Sequence, residues 1–356
     1  ADAGRSQHPL RARRGRPVAP MADLSRIAVI RPEGNLEEAL KRLRQDPAVE
    51  YAEVDGIATA QQSAGLPNDP FLTRSGSWGQ DYKDLWGHYA IRAPEAWAKS
   101  TGRNVVVAVV DTGLDLAHPD LKANLWVNPG EIPGNGLDDD QNGFVDDIHG
   151  YDFVGDDAAT PVEGPLTGDR DGHGTHVAGT IAATGNNGIG VVGVAFEARV
   201  MGVRVLDAEG RGSFSGVIRG LVYAGACGAE VANLSLTGYG RLLTLEDAIR
   251  NLHSAGVVVV AAAGNEGTDV VDAIPAAIPE VISVGAVNTP VIWDQGITWF
   301  SNRGIRLDVL APGSDILSLC AEGTNSAPLE SHYALMDGTS MAAPHVAGVA
   351  ALLLSR

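Results

Sequence analysis

Val105-Val106-Val107-Ala108-Val109-Val110-Asp111-Thr112-Gly113 points to the architecture of the chain. The run from Val105 to Val110 is apolar without alternation, and an aspartate and a Thr-Gly turn close it. A strand with one wet face alternates polar and apolar residues. An unbroken apolar strand is covered on both faces, as in a mostly parallel sheet between helix layers. Val257–Ala263 repeats the pattern, and Ala198–Leu206, Val231–Leu236, Val281–Val287 and Leu307–Leu310 are strand-like as well. Helical patterns fall between them at His176–Ala183, Ser215–Ala226 and Leu245–Ala255. The alternation predicts an α/β fold of three layers, a mostly parallel sheet with helices on both faces. In open sheets of this kind the chemistry gathers at the carboxyl ends of the strands. Asp111 stands at one such end, and Asn265 closely follows another.

The chain has 356 residues, enough for one large domain and a small appendage. Its net charge of −18 would be repelled by phosphate backbones, so no nucleic acid partner is expected. The longest apolar run, Val346–Leu354, is interrupted by Gly348 and falls short of the roughly 18 residues of a membrane span, so no membrane partner is expected. The two cysteines, Cys227 and Cys320, form no CxxC or Cys/His zinc spacing. One disulfide and two free thiols both fit them. The N-terminus carries no apolar signal-peptide core, as is also true of a chain from which one has been removed.

Residues 1–21 hold five arginines and read as a flexible basic leader. Arg11-Ala12-Arg13-Arg14 within it fits a processing site for a basic-specific protease, and fits a solvated tail as well. Residues 22–57 read as strand (Arg26–Ile30), helix (Leu36–Arg44) and strand (Val49–Val54), a small α+β segment. The helix places Leu36, Ala39, Leu40 and Leu43 on one face. A polar stretch with Gln61, Gln62, Ser63 and Gly65 follows as a linker. The domain boundary is therefore set between 22–62 and 63–356.

Three segments carry chemistry. Asp111-Thr112-Gly113 ends the first strand. Asp171-Gly172-His173-Gly174-Thr175-His176-Val177-Ala178-Gly179 opens a helix. Gly338-Thr339-Ser340-Met341-Ala342-Ala343-Pro344-His345 opens another. A serine hydroxyl is a poor nucleophile at neutral pH. It needs a base in hydrogen-bond reach, and the base needs a carboxylate to hold its tautomer and stabilise its cation. Ser340 is expected at a helix start, because Ala342–Leu354 is apolar and small and because Pro344 suits only a first turn. Unpaired N–H groups and the positive dipole end at that point favour an oxyanion beside the serine. Taken singly, such an Asp is commonly a turn residue, such a His structural, and such a Ser an N-cap.

Taken together, these segments resemble the subtilisin-like (S8) serine peptidases. That family carries D-[ST]-G, H-G-T-H-V-A-G-T and G-T-S-M-A-x-P-H in this order, and the likeness spans roughly residues 66–356. The resemblance implies a serine endopeptidase in which Asp111 orients the base, His173 is general base and acid, and Ser340 is the nucleophile. Asn265, in Ala263-Gly264-Asn265-Glu266-Gly267, is expected to give a second oxyanion donor. His176 and His345 match no triad position and are expected to pack and hydrogen-bond. The implied partners are polypeptides bound as an added strand along Gly210–Phe214 and Leu234–Gly238. Gly210 and Gly212 lie in the first of these segments. Ser235, Leu236 and Gly264 line the pocket before the scissile bond, and Phe214 is expected by the pocket three residues further upstream. Thr237 stands where the family commonly has glycine, and Phe214 also suits plain core.

The cofactor implied is structural Ca2+. Ala183–Val191 resembles the family's tight calcium loop, with a side-chain oxygen from Asn187, carbonyls from Gly185, Ile189 and Val191, and carboxylates from Asp120 and Asp69. A second calcium site is expected in Asp138–Asp147. There Asp138, Asp140, Asn142 and Asp146 follow the first half of an EF-hand loop, although position 12 is His149 and not Glu. Residues 22–57 resemble the C-terminal part of the family's propeptide. That implies a zymogen whose own propeptide is an intramolecular inhibitor, cleaved somewhere in Gly56–Leu66. A secreted monomer is expected. The chain stops 16 residues after Ser340, where the family usually continues, so the catalytic domain is expected to be incomplete at its C-terminus. The competing readings are a catalytically silent peptidase-like scaffold and a calcium-stabilised adhesion protein.

Overall fold

The computed structural model describes residues 35–49, 52, 65–155, 162–290, 296–324, 328–330 and 332–355. The chain divides into two compact units, 1–62 and 63–356. The expected leader, the strand Arg26–Ile30, nearly all of Val49–Val54, and the cleavage segment lie outside the described residues.

In the first unit, helix α1 covers Leu36–Gln45. Ala39, Leu40 and Leu43 are half-buried on one side, while Lys41, Arg42 and Arg44 are exposed. Arg42 and Arg44 sit in the last turn, where positive charge complements the helix dipole. The Arg44 Nε donates to the Ala52 carbonyl at 3.0 Å.

The second unit is built on an eight-stranded sheet. Its strands in chain order are β1 (Val106–Asp111), β2 (Gly150–Asp152), β3 (Gly164–Pro165), β4 (Arg199–Arg204), β5 (Val231–Leu234), β7 (Val258–Ala262), β9 (Val281–Val287) and β10 (Val309–Pro312). β6 (Gly238–Tyr239) and β8 (Ala273–Ile274) pair antiparallel apart from it. β11 (Ile316–Leu319), β12 (Pro328–Glu330) and β13 (Tyr333–Met336) form a three-stranded antiparallel sheet. The main sheet has the order β10-β9-β7-β5-β1-β4-β2-β3, and all its pairs are parallel except β2 with β3. The helices are α2 (Pro70–Thr73), α3 (Trp86–Ala90), α4 (Ala93–Ala96), α5 (His173–Ala182), α6 (Phe214–Ala226), α7 (Leu243–Ser254) and α8 (Thr339–Leu354).

The unbroken apolar strands are explained by burial on both faces. On one face Val107 and Val109 join Val177 and Ile181 of α5 and Ala343 and Ala347 of α8. On the other, Ala108 and Val110 join Val217 and Leu221 of α6 and Leu245 and Ile249 of α7. This is the three-layer α/β architecture expected. β1 lies between β4 and β5, so the chain leaves it first to one side and then to the other. A crevice opens at the carboxyl ends of strands where the order reverses in this way. Asp111 is the last residue of β1 and lies at that crevice.

Two expectations are corrected. α5 begins at His173, not His176, so the histidine lies on the first turn. Its entry is the left-handed Gly172, φ 102°. Pro344 is not in the first turn of α8: with Thr339 as the first helical residue, it falls in the second. Cys227 and Cys320 do not pair with each other.

Candidate active site

The contact between β1 and α5 is built by small and polar residues. Asp111 is wholly buried, and its Oδ1 accepts from the Thr112 N–H at 2.8 Å. Asp169 binds the two elements together. Its Oδ1 accepts from Thr112 Oγ1 (2.9 Å) and Gly172 N (2.8 Å), and its Oδ2 accepts from Thr175 N (2.9 Å) and Thr175 Oγ1 (2.7 Å). Thr112 Oγ1 in turn accepts from Gly174 N at 2.9 Å. Gly174 must be glycine, since a Cβ there would collide with the Gly113 carbonyl and press on Asp111 Cβ. The helix therefore starts close enough for His173 Nδ1 to meet Asp111 Oδ1 at 2.7 Å.

Burial opposes charge on His173. The Asp111 charge and hydrogen bond outweigh it, with help from Asp171 and Asp169, and its pKa is pushed up to about 9. The two other histidines nearby behave oppositely. Burial lowers His176 to about 3 and His345 to about 4. His176 Nε2 lies 3.0 Å from the Ile316 carbonyl, and His345 Nδ1 donates to the Met341 carbonyl at 2.9 Å. Both are neutral packing groups.

Ser340 is the second residue of α8. Its hydroxyl donates to the Ser235 carbonyl at 3.1 Å rather than to His173. Asn265 follows β7, and its Oδ1 accepts from both Thr339 N and Thr339 Oγ1 at 2.9 Å. That arrangement fixes which end of the amide is free to donate. A Cβ placed on Gly338 would lie 3.5 Å from both Asn265 Nδ2 and Ser340 N, so the two donors flank one space. The loop bearing Asn265 is held by Asn302, wholly buried. Its Oδ1 accepts from Glu266 N, Thr268 N and Thr268 Oγ1, and its Nδ2 donates to the Ala263 carbonyl.

A cleft of about 560 Å³ lies beside these groups. Gly210, Gly212 and Phe214 line it, with Ser235, Leu236, Thr237 and His173. Gly264 is not among its lining residues; its N–H donates to Thr339 Oγ1 at 3.1 Å. Phe214 both lines the cleft and packs on the core beneath α6. Asp169, Thr112 and Asn302 were not anticipated from sequence. Their traces are Thr112 within Asp111-Thr112-Gly113 and the acid four residues before His173.

Of the residues expected to hold calcium, Asn187 and Val191 meet Asp120. Asp69 and Asp120 are buried, and burial raises both carboxyls, Asp120 to about 7. Asn187 Nδ2 donates to Asp120 Oδ1 at 2.6 Å, Val191 N donates to Asp120 Oδ2 at 3.0 Å, and Asn186 N donates to Asp69 Oδ2 at 2.9 Å. Among the described residues none donates to the carbonyls of Gly185, Ile189 or Val191. Asp69 acts electrostatically on Asp120, so the loop brings two buried acids together, and carboxylate oxygens are ligands that a hard cation takes. In the second loop the structure groups Asp140 with Glu131 and Asp147, their oxygens within 4.8 Å of one another. Asp138 instead accepts from Asn142 N and Gly143 N, and Asp146 from Asn135 N and Gly136 N. Asn142 donates its amide to Asp140 and Asp147.

An imidazole held by a buried carboxylate and a serine at a helix start are the residue types that a serine hydrolase site on an α/β sheet needs. The subtilase family profile (Peptidase S8) matches residues 102–356. The chain is 39% identical to the "Thermophilic serine proteinase" of Bacillus sp. (strain AK1), over 91% of this chain and 67% of that one. It is 38% identical to "Subtilisin E" of Bacillus subtilis (strain 168), over 90% and 69%. Among solved structures, a protease of Pseudoalteromonas arctica PAMC 21717 superposes with a TM-score of 0.63 at 33% identity, covering 81% of this chain and 86% of that one. The chain belongs to the subtilase family, and it is a serine endopeptidase of the subtilisin type.

Proposed function

We propose that Asp111, His173 and Ser340 are the catalytic triad through which this endopeptidase cleaves polypeptides. The observation that carries the reading is the 2.7 Å contact of His173 Nδ1 with Asp111 at the cleft. It leaves the Nε2 side of the ring for the serine. The Ser340 hydroxyl turns from the Ser235 carbonyl towards His173 when substrate fills the cleft, since catalytic hydrogen bonds often tighten only in the complex. His173 takes its proton as Ser340 Oγ bonds to the scissile carbonyl carbon. The oxyanion is held by Asn265 Nδ2 and Ser340 N. His173 then protonates the leaving amine, and water repeats the sequence on the acyl-enzyme. Substitution Ser340→Ala tests this against the silent-scaffold reading. Hydrolysis of a denatured protein and self-processing should vanish with folding intact; retained hydrolysis would overturn the proposal.

The substrate lies as a strand between Gly210–Phe214 and Leu234–Gly238. Structural Ca2+ is held by Asp69, Asp120, Asn187 and the carbonyls of Gly185, Ile189 and Val191. A second Ca2+ is held near Asp140, with Glu131 and Asp147. When bound, such an ion neutralises buried carboxylates and stiffens its loop, and it takes no part in bond breaking. Residues 22–62 act as an inhibitory propeptide, and the processed enzyme is a monomer. We place it outside the cell, where calcium is plentiful enough for sites of modest affinity. Its relatives carry both titles, "Extracellular protease" in Xanthomonas campestris and "Intracellular serine protease" in Paenibacillus polymyxa. Cell fractionation decides between them. Among the described residues no helix is long and apolar enough to cross a membrane.

A further inference from the structure

Two serines are tied to each other at the start of α8. The Ser235 hydroxyl donates to the Ser340 carbonyl at 2.8 Å, and the Ser340 hydroxyl donates to the Ser235 carbonyl at 3.1 Å. The reason the first bond exists lies four residues on. In an α-helix the Ser340 carbonyl would accept from the N–H of residue 344. That residue is Pro344, inside the helix and without an N–H. A part-buried carbonyl left in this state is costly unless another donor reaches it. Ser235, itself buried, is that donor.

Ser235 is fixed from behind. Asn233, wholly buried on β5, donates its side-chain amide to the Ser235 hydroxyl at 2.9 Å. A hydroxyl has one proton to give. With Asn233 as its donor, Ser235 gives that proton to Ser340. The relay Asn233–Ser235–Ser340 therefore joins the end of β5 to the first turn of α8.

We propose that Ser235 is the positioning residue of the nucleophile, its hydroxyl standing in for the N–H that Pro344 lacks. This rests on the reading of Ser340 as nucleophile. Ser340 carries both the attacking oxygen and one oxyanion donor on the same backbone unit, so a small drift of that turn spoils both at once. A misplacement of about 1 Å is worth up to roughly a hundredfold in rate.

The test is a cycle of Ser235→Ala, Pro344→Ala and the double variant. It reads the rate at which a small fluorophosphonate labels Ser340, with kcat and KM on one peptide. Ser235→Ala should lose on the order of tenfold in labelling and in kcat. Pro344→Ala restores an N–H to the carbonyl. In that background, removal of the Ser235 hydroxyl should cost less than about threefold in both readouts. An equal cost in both backgrounds would overturn the proposal, as would wild-type labelling by Ser235→Ala. If Pro344→Ala does not fold, Ser235→Thr and Ser235→Val decide the matter, since they differ in the hydroxyl alone. Thr should keep the rate and Val should lose it; equal rates overturn the proposal. Failure of the wild-type chain to label overturns the nucleophile reading, and this one with it.

Discussion

His173 carries the clearest residue-level consequence. A base must be neutral to accept the serine proton, and Asp111 holds this imidazole protonated up to about pH 9. Activity should therefore fall as pH drops through that value, roughly tenfold per unit below it. A kcat/KM profile checks this. Asp111→Asn should shift the acid limb down towards the ordinary histidine value while cutting the maximal rate. The linkage to stability has the opposite sense. A raised histidine pKa favours the folded state fully below about 6.5, and the benefit is lost as pH rises through about 9. Asn265 gives a second prediction at this scale. Asn265→Ala should lower kcat by roughly 10²–10³, with little change in KM; the range was set on a subtilisin and is carried over to this relative. Asn302 and Asp169 explain why Asn265 and His173 hold their places. Neither was legible in the sequence, because a buried polar hub leaves no periodic trace. Its partners come from segments far apart in the chain.

At the scale of elements, the β1–α5 contact is the feature most sensitive to a single atom. Gly174→Ala places a methyl group against the Gly113 carbonyl. It should destabilise by about 1–3 kcal/mol in urea unfolding and reduce activity by more than the stability loss alone. The strands were readable because burial on both faces leaves an unbroken apolar run, as in Val106–Val110. The start of α5 was less readable. Gly172 and Gly174 flank His173, and glycine is a poor helix former. Tertiary bonds from Asp169 and Thr112 set the boundary instead. Pro344 was placed a turn early because local rules confine proline to a helix start. Here Ser235 satisfies the carbonyl that such a proline strands. The EF-hand spacing favours Asp138 and Asp146, but the loop folds so that Glu131 and Asp147 meet Asp140.

At the scale of the molecule, the prominent liability is the pair of buried acids at the 185–191 loop. Burial raises Asp120 to about 7. A carboxyl whose folded pKa is raised stabilises the fold below its ordinary value of 3.8, and that contribution is lost as pH rises to about 7. Chelator-treated protein should thus show a thermal midpoint that declines across this window. Added calcium should raise the midpoint most at its upper end. Calorimetry at several pH values, with chelator and with calcium, checks both. A midpoint indifferent to calcium would remove the ion from this loop. The net charge of −18 acts in the same direction, since bound cations relieve repulsion across an acidic chain.

Ser340 is proposed as an activated nucleophile in a site assembled by β1, α5 and α8. The most direct measurement is mass spectrometry of the folded chain in calcium after treatment with a fluorophosphonate. A single adduct on Ser340 is expected, formed faster as pH rises towards 9, and absent in His173→Ala. An adduct elsewhere, or none on a chain that hydrolyses protein, would contradict it.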